Sequence, residues 1–123
     1  MDEFNPHLFR EYDIRGIAGK DLTEDLVFNL GQVFAAHLRQ KCAKDQLSVA
    51  IGRDGRLSSP VLAKQLAAGL SLGGVTVIDI GLAPTPALYF ASHHFNTDAG
   101  IMLTGSHNPP DYNGLKMVRQ NSP

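Results

Sequence analysis

The chain has 123 residues, of which 43% are hydrophobic and 19% charged, so it is long enough for one globular domain with a genuine core. Its formal net charge of -1 gives no electrostatic reason to expect a nucleic acid or an anionic membrane as partner. The single cysteine, Cys42, cannot form an internal disulfide, and residues 1–6 lack the features of a signal peptide. Since no apolar run is long enough to span a bilayer, we expect a soluble, cytoplasmic protein.

The first half of the chain is predicted to contain a strand, a helix and a second strand. Residues 9–17 are compatible with a short strand that leads into a loop. Thr23, followed by two acidic residues, is a typical helix start because its oxygen can cap the first N–H groups. The helix is predicted to end near Lys41, with an apolar face formed by Leu26, Leu30, Val33, Phe34 and Leu38. An apolar strand at 47–51 then leads into a charged, glycine-containing turn at 52–56.

The second half continues the same alternation. A helix is predicted to begin at the serine pair 58–59, directly before Pro60, and to stop at the glycine pair 73–74. Its predicted buried stripe consists of Val61, Leu62, Leu66 and Leu70. Three further elements follow: a strand at 75–80, a helix from the proline-rich segment 84–86 to about residue 93, and a strand at 99–103.

This order of elements predicts an α/β fold, with three α/β/α layers around a mostly parallel sheet of about four strands. The strands at 47–51 and 99–103 lack polar alternation, as expected when helices cover both faces. Roughly ten residues separate Leu103 from Leu115, too few for a helical crossover, so the last strand is predicted to run antiparallel at one edge. That geometry brings Lys116 back alongside the preceding loop.

The most informative segment is the loop at residues 104–110, Thr-Gly-Ser-His-Asn-Pro-Pro, which we call the serine loop. In an open α/β sheet, ligands bind beyond the carboxyl ends of the strands, where this loop is predicted to lie. Gly105 would let backbone N–H groups approach an anion, and Pro109 and Pro110 would stiffen the exit. Ser106 is therefore the residue that we expect to be presented to a ligand.

Several chemistries for Ser106 do not fit its neighbours. His107 follows it directly, which makes the geometry of a Ser-His-Asp triad awkward, and the α/β-hydrolase, P-loop and dinucleotide-binding motifs are missing from the sequence. Phosphate chemistry fits better, because a phosphoryl group needs hydrogen-bond donors and cations. Asn108, Lys116 and Arg15 can supply them together with the loop N–H groups. His107 can donate to a phosphate or a sugar hydroxyl, or simply order the loop.

Four motifs are distinctive in combination: FREYDIRG at 9–16, GRDGR at 52–56, PTP at 84–86 and TGSHNPPDYNGLK at 104–116. Together they resemble the α-D-phosphohexomutases, and most closely the bacterial phosphomannomutase/phosphoglucomutase group. The resemblance extends from about Phe9 to Val118. It implies that residues 1–123 are the N-terminal domain of such an enzyme, domain I, incomplete at its C-terminus and without the later domains.

The resemblance implies an isomerase, an intramolecular phosphotransferase that interconverts hexose 1-phosphate and hexose 6-phosphate. Hexose 1,6-bisphosphate would be its intermediate and activator, and Ser106 would be carried as phosphoserine. The implied catalytic residues are Ser106, Arg15, Lys116 and His107, and the implied substrate contacts are Tyr12 and Asn108. One Mg²⁺ would bind a phosphate oxygen on Ser106, with its carboxylate ligands outside this chain. The implied partners are a phosphosugar substrate and the remaining domains of the parent enzyme.

The same residues also have structural interpretations. These are an ordinary turn serine at Ser106, a protective edge-strand charge at Lys116, a surface ion pair of Arg15 with Glu11 or Asp13, and core packing at Tyr12. For Arg53, Asp54 and Arg56 we favour a set of ion pairs that brace the loop. The alternative function is a non-catalytic phosphate- or phosphosugar-binding module, and we expect the isolated chain to be inactive.

Overall fold

The computed structural model describes residues 11–42, 45–105 and 108–119, which form five strands and three helices. In chain order they are β1 (Glu11–Ile17), α1 (Glu24–Lys41), β2 (Leu47–Arg53), α2 (Ser59–Leu72), β3 (Val75–Leu82), α3 (Thr85–His94), β4 (Ala99–Leu103) and β5 (Tyr112–Arg119). The predicted elements are confirmed, and β2 and β3 each extend two residues further than predicted. Among the described helices, none is long and apolar enough to cross a membrane.

The sheet has the strand order β1-β5-β4-β2-β3. Strand β2 pairs in parallel with β3 and β4, whereas β5 pairs antiparallel with β4 and with β1. Four strands therefore run in one direction and only β5 runs against them, which confirms a mostly parallel α/β sheet. The predicted edge position of β5 is wrong, because β1 adds to its outer side and itself becomes the edge strand.

The two faces of the sheet carry different helices, which gives the predicted three layers. Helices α1 and α2 cover one face, where Phe34 and Leu66 pack with Ile101 in the main core. Helix α3 covers the other face, where Leu88 packs against Met102 in a smaller cluster. Both faces of the central strands are therefore covered, which accounts for the continuous apolar sequence of β4.

The buried face of α1 is rotated relative to the predicted one. Leu26 is 38% exposed, although its position in the apolar repeat predicted burial. The residues that the helix buries include Val27, Gly31, Phe34, Ala35 and Leu38. Helix α1 packs against α2, and its buried residues also join the main core with residues of the sheet, so one stripe serves two neighbours. The predicted cap is confirmed, since Thr23 Oγ1 accepts a hydrogen bond from Leu26 N at 3.1 Å.

Helices α1 and α2 approach each other closely at a pair of glycines. A Cβ placed on Gly69 would lie 2.1 Å from the carbonyl oxygen of Phe28, and one on Gly31 would lie 2.7 Å from the carbonyl oxygen of Leu66. Because these neighbours are backbone atoms, no side-chain rotation could relieve either contact. The glycines therefore set the distance between the two helices.

Candidate functional site

The serine loop lies at the edge of the sheet where four parallel-running strands end. Strands β1, β2, β3 and β4 all present their carboxyl ends there, and β5 begins there. The loop is fixed at both ends by backbone hydrogen bonds: Thr104 N donates to Gly114 O, and Ala18 N donates to Asp111 O, each at 2.9 Å. The loop therefore occupies the predicted position for a ligand site in an open α/β sheet.

Ser106 and His107 lie outside the described residues, so their predicted roles stay predictions. The residues on either side of them are described and are close together. Asn108 N donates to the carbonyl of Gly105 at 2.9 Å, and Tyr112 N donates to the carbonyl of Pro109 at 2.9 Å. The segment that carries Ser106 therefore begins and ends at hydrogen-bonded positions.

Arg56 braces the segment that follows Ser106. Its Nη2 donates to Asn108 O at 2.9 Å, and its Nη1 donates to Pro109 O at 2.6 Å and to Tyr112 O at 3.2 Å. Its Nε pairs with the Asp54 carboxylate at 3.1 Å, and the Arg56 side chain is only 15% exposed. A planar guanidinium with several fixed donors suits this task, because it can bind several carbonyl oxygens at once.

Asp54 holds the segment that precedes Ser106. Its carboxylate accepts hydrogen bonds from Gly105 N at 3.0 Å and from Ser59 Oγ at 2.7 Å, as well as from the backbone and side chain of Arg56. Burial raises the pKa of this carboxyl, but the hydrogen bonds from Ser59, Arg56, Gly105 and Thr104 outweigh that effect and hold the pKa below its ordinary value. Asp54 is therefore a charged acceptor at neutral pH.

These contacts confirm the predicted loop-bracing ion pair for Asp54 and Arg56. Arg53 contributes its backbone carbonyl, which accepts a hydrogen bond from Ala83 N at 3.0 Å. The role of Gly105 differs from the predicted one, because the anion that its N–H approaches is the Asp54 carboxylate. A Cβ on Gly105 would lie 2.3 Å from Cζ of Arg56, so glycine is needed here to admit the guanidinium.

A buried asparagine that sequence reasoning missed connects this pair to the sheet. Asn113 is fully buried, and its Nδ2 donates to Ser58 Oγ at 2.8 Å and to Ser59 Oγ at 2.9 Å. Its Oδ1 accepts from Gly114 N at 2.9 Å. Ser58 is thus a partner of Asn113 and gives no side-chain cap to α2. An amide near the start of β5, beside the apolar residues Leu115 and Met117, was the available signal, because a buried amide requires partners.

Two depressions border this edge of the sheet. One, of about 320 Å³, is lined by Asp54, Gly55, Arg56, Asn108 and Pro110 and therefore adjoins the serine loop. The larger, of about 610 Å³, lies between residues 18–25 and residues 58–62. Volume alone would favour the larger cleft, but none of the described residues of the serine loop, 104–105 and 108–110, lines it. We therefore place the candidate site at the smaller depression.

The comparison that decides the family is the match to a whole-domain model. The model described as phosphoglucomutase/phosphomannomutase, alpha/beta/alpha domain I, matches residues 6–122. The chain belongs to this family. The five-stranded sheet and the three helices described above are therefore those of a domain I, as the motifs indicated.

Individual relatives agree with this assignment. The chain is 50% identical over 111 residues to a phosphomannomutase/phosphoglucomutase of Pseudomonas putida, which covers 90% of this chain and 23% of that protein. It is 47% identical over 118 residues to a phosphoglucomutase of Neisseria gonorrhoeae, covering 96% and 25%. A crystal structure of a phosphoglucomutase/phosphomannomutase family protein from Burkholderia thailandensis superposes with a TM-score of 0.80 at 41% identity, covering 98% of this chain and 27% of that one. The chain thus spans about a quarter of the length of the relatives that it matches.

The sheet register of this domain I brings two predicted site residues, Lys116 and Arg15, toward the serine loop. Lys116 pairs with Met102 on one side and with Asp13 on the other, and Arg15 pairs with Gly114, whose carbonyl binds Thr104 N. Tyr12 lies one register position beyond Asp13. Because β5 is an inner strand and Lys116 is half-buried, the edge-strand interpretation of Lys116 is wrong.

The described part of this domain I does not provide a metal site of its own. Within residues 11–42, 45–105 and 108–119, no three His, Cys, Asp or Glu side chains are grouped as metal ligands. Asp54, the carboxylate nearest the serine loop in the contacts above, already accepts hydrogen bonds from Ser59, Arg56 and Gly105. The Mg²⁺ that the resemblance implies, with its carboxylate ligands outside this chain, stays a prediction.

Proposed function

We propose that this chain is the phosphoserine-bearing domain of a phosphomannomutase/phosphoglucomutase that interconverts hexose 1-phosphate and hexose 6-phosphate. The observation that carries the proposal is the braced serine loop: in a domain I, at the carboxyl ends of the strands, Gly105 and Asn108 are both tied to the Asp54–Arg56 pair. A phosphoryl carrier needs such a fixed loop, because transfer requires in-line alignment of the attacking and leaving oxygens.

In the proposed reaction, a phosphoryl group passes from Ser106 Oγ to a hydroxyl of the bound sugar phosphate. The P–O bond to Ser106 breaks, a P–O bond to the sugar forms, and the hydroxyl proton is lost while the serine oxygen regains one. The bisphosphorylated sugar then reorients and returns its other phosphoryl group to Ser106. Arg15 and Lys116 are proposed to offset the charge that develops and to handle the proton, with His107 at the transferring group.

The remaining roles in the proposal concern binding. Tyr12 and Asn108 would contact the sugar phosphate, and a Mg²⁺ bound to a phosphoserine oxygen would supply charge neutralisation. The bisphosphorylated sugar would also act as activator by rephosphorylating an empty Ser106. The proposed partners are a phosphosugar and the further domains of a longer protein. We also propose a cytoplasmic location, which the single thiol of Cys42 fits.

The test of the carrier role is the mass of the intact protein isolated from its host. We expect the longer protein that contains this domain to carry about one phosphate per chain, and Ser106→Ala to lose it. Ser71→Ala, an exposed serine on α2, is the matched control and should keep the phosphate. If neither the longer protein nor this chain ever carries phosphate, the alternative of a non-catalytic phosphosugar-binding module replaces the proposal.

The second test measures turnover. We expect the longer protein to convert glucose 1-phosphate to glucose 6-phosphate, and Lys116→Met to lower its kcat by about 10²–10³, the usual loss for one electrostatic donor. The pure 123-residue chain should show no turnover. Conversion by that chain alone, or normal turnover in Lys116→Met, would contradict the proposed distribution of roles.

A further inference from the structure

We infer that Asp54 and Arg56 act as a positioning pair for phosphoryl transfer, fixing the serine loop from both sides of Ser106. This inference rests on the proposed function and adds to it two residues that were interpreted from sequence as structural. The pair contacts Gly105 before Ser106, through the Asp54 carboxylate, and Asn108 after it, through the Arg56 guanidinium. No other side chains in the described contacts reach both flanks.

The contacts of Arg56 show why it braces the loop instead of binding a phosphate. A guanidinium has five N–H donors, and among the described residues Arg56 makes four hydrogen bonds with them, to Asp54 and to the carbonyls of Asn108, Pro109 and Tyr112. A phosphate could recruit this side chain only by breaking its bonds to these carbonyls, of which Pro109 O also accepts a hydrogen bond from Tyr112 N at 2.9 Å. The positive charge of Arg56 is moreover compensated by Asp54 at 3.1 Å.

The contacts of Asp54 show why the pair is a unit. One carboxylate oxygen accepts from Arg56 Nε and Gly105 N, and the other accepts from Ser59 Oγ and Arg56 N. Ser59 is in turn held by Asn113 at the start of β5. These contacts thus hold the serine loop in a fixed position relative to β2, α2 and β5, which all belong to the core of the domain.

Such bracing should affect the rate of transfer more than the binding of the sugar phosphate. A displacement of about 1 Å at a reacting group can cost about 10²-fold in rate, because the oxygens lose their alignment. Of the two residues proposed to bind the substrate, Tyr12 lies on β1 and would keep its contact, whereas Asn108 lies in the loop and would move with it. Loss of the pair is therefore expected to lower kcat by a larger factor than it raises KM.

The experiment uses the longer protein with Arg56→Met, Asp54→Asn and Arg56→Lys. We expect kcat to fall about 10- to 100-fold in the first two, and Arg56→Lys to be intermediate, because an ammonium can replace part of the bonding but has no planar fork. Arg39→Met is the matched control for the arginine, since Arg39 Nη2 also donates to a carbonyl, that of Gly73, at 2.9 Å, on a remote part of the fold. Asp98→Asn is the control for Asp54→Asn, because the Asp98 carboxylate also accepts a hydrogen bond from a backbone N–H, that of Ser48, at 2.9 Å.

A second measurement does not depend on activity. In the 123-residue chain, Arg56→Met should speed amide hydrogen exchange at Gly105, Asn108 and Tyr112 by about tenfold or more, while α1 keeps its protection. Unchanged exchange, or a fall in kcat no larger than that of Arg39→Met, would overturn the inference. If instead the unmodified longer protein carries no phosphate on Ser106, the proposed function is wrong, and the exchange result still decides whether the pair holds the loop.

Discussion

Gly105→Ala provides the sharpest test of how the serine loop is held. The Cβ that alanine adds would lie 2.3 Å from Cζ and Nε of Arg56 and 2.7 Å from its Nη1. Carbon atoms prefer separations of about 3.5–4.0 Å, so the guanidinium would have to move by about 1 Å or more. A shift of that size breaks hydrogen bonds, because the bond from Nη1 to Tyr112 O is already 3.2 Å long.

The expected cost follows from the contacts at risk. A hydrogen bond to a charged group contributes about 1.5–3 kcal/mol, and we expect the displaced Arg56 to lose the equivalent of one or two of its three bonds to carbonyls. Gly105 does not have a left-handed φ, so alanine fits the backbone and recovers about 0.4–1 kcal/mol through the unfolded state. The net loss in the free energy of unfolding should therefore be about 1–5 kcal/mol.

Urea unfolding of the chain in a double-mutant cycle identifies the cause of that loss. If the clash with Arg56 is responsible, Gly105→Ala should cost less than about 0.5 kcal/mol once Arg56→Ala has removed the guanidinium. Additive effects of the two substitutions would refute the reasoning, since they would mean that the alanine methyl group disturbs something other than Arg56. An unchanged m-value across the four proteins checks that the unfolded state is comparable.

Three further predictions concern the stability of the domain. Hydrogen bonds hold the pKa of Asp54 below its ordinary value, so the ionised carboxylate stabilises the fold above that ordinary pKa and the stabilisation is lost as the pH falls. The difference in unfolding free energy between the unmodified chain and Asp54→Asn should therefore shrink below about pH 4. A difference independent of pH would contradict this. Gly69→Ala should cost about 3 kcal/mol in chemical unfolding, because its Cβ would meet the Phe28 carbonyl, whereas Ser71→Ala should be nearly neutral. Thr23→Ala should cost about 1 kcal/mol in thermal unfolding through the lost cap, and an unchanged midpoint would exclude that role.

The elements that the sequence predicted well are those whose limits depend on local chemistry. Thr23 caps α1, the helix ends at Lys41, and β4 spans its apolar run, because caps and apolar periodicity act within a few residues. The pairing of β1 with β5 was missed because it joins residues about a hundred positions apart and has no local signal. That one omission also led to the wrong placement of β5 at the edge.

The site was predicted less completely, for a similar reason. The motif at 52–56 suggested an ion pair, but the partners of Arg56 are backbone carbonyls more than fifty residues away, which any residue type would provide. Asn113 and Ser59 were missed as partners because burial of an amide is decided by strand pairing and helix position together. Gly105 was recognised as necessary, although the structure shows that it admits a guanidinium.

The positioning pair, Asp54 and Arg56, also limits where the positive charge for phosphate binding can come from. Asp54 cancels the charge of Arg56 at 3.1 Å, so this side of the serine loop offers rigidity with little net positive charge. A phosphoserine carries a charge of about -2 and must be neutralised by other groups. The strand order β1-β5-β4 brings the backbones of Arg15 and Lys116 to the opposite side of the same loop. The proposed roles are therefore divided between the two sides of the loop. Asp54 and Arg56, which follow β2, fix the loop around Ser106, and Arg15 on β1 and Lys116 on β5 supply the cations that stabilise the transferring group.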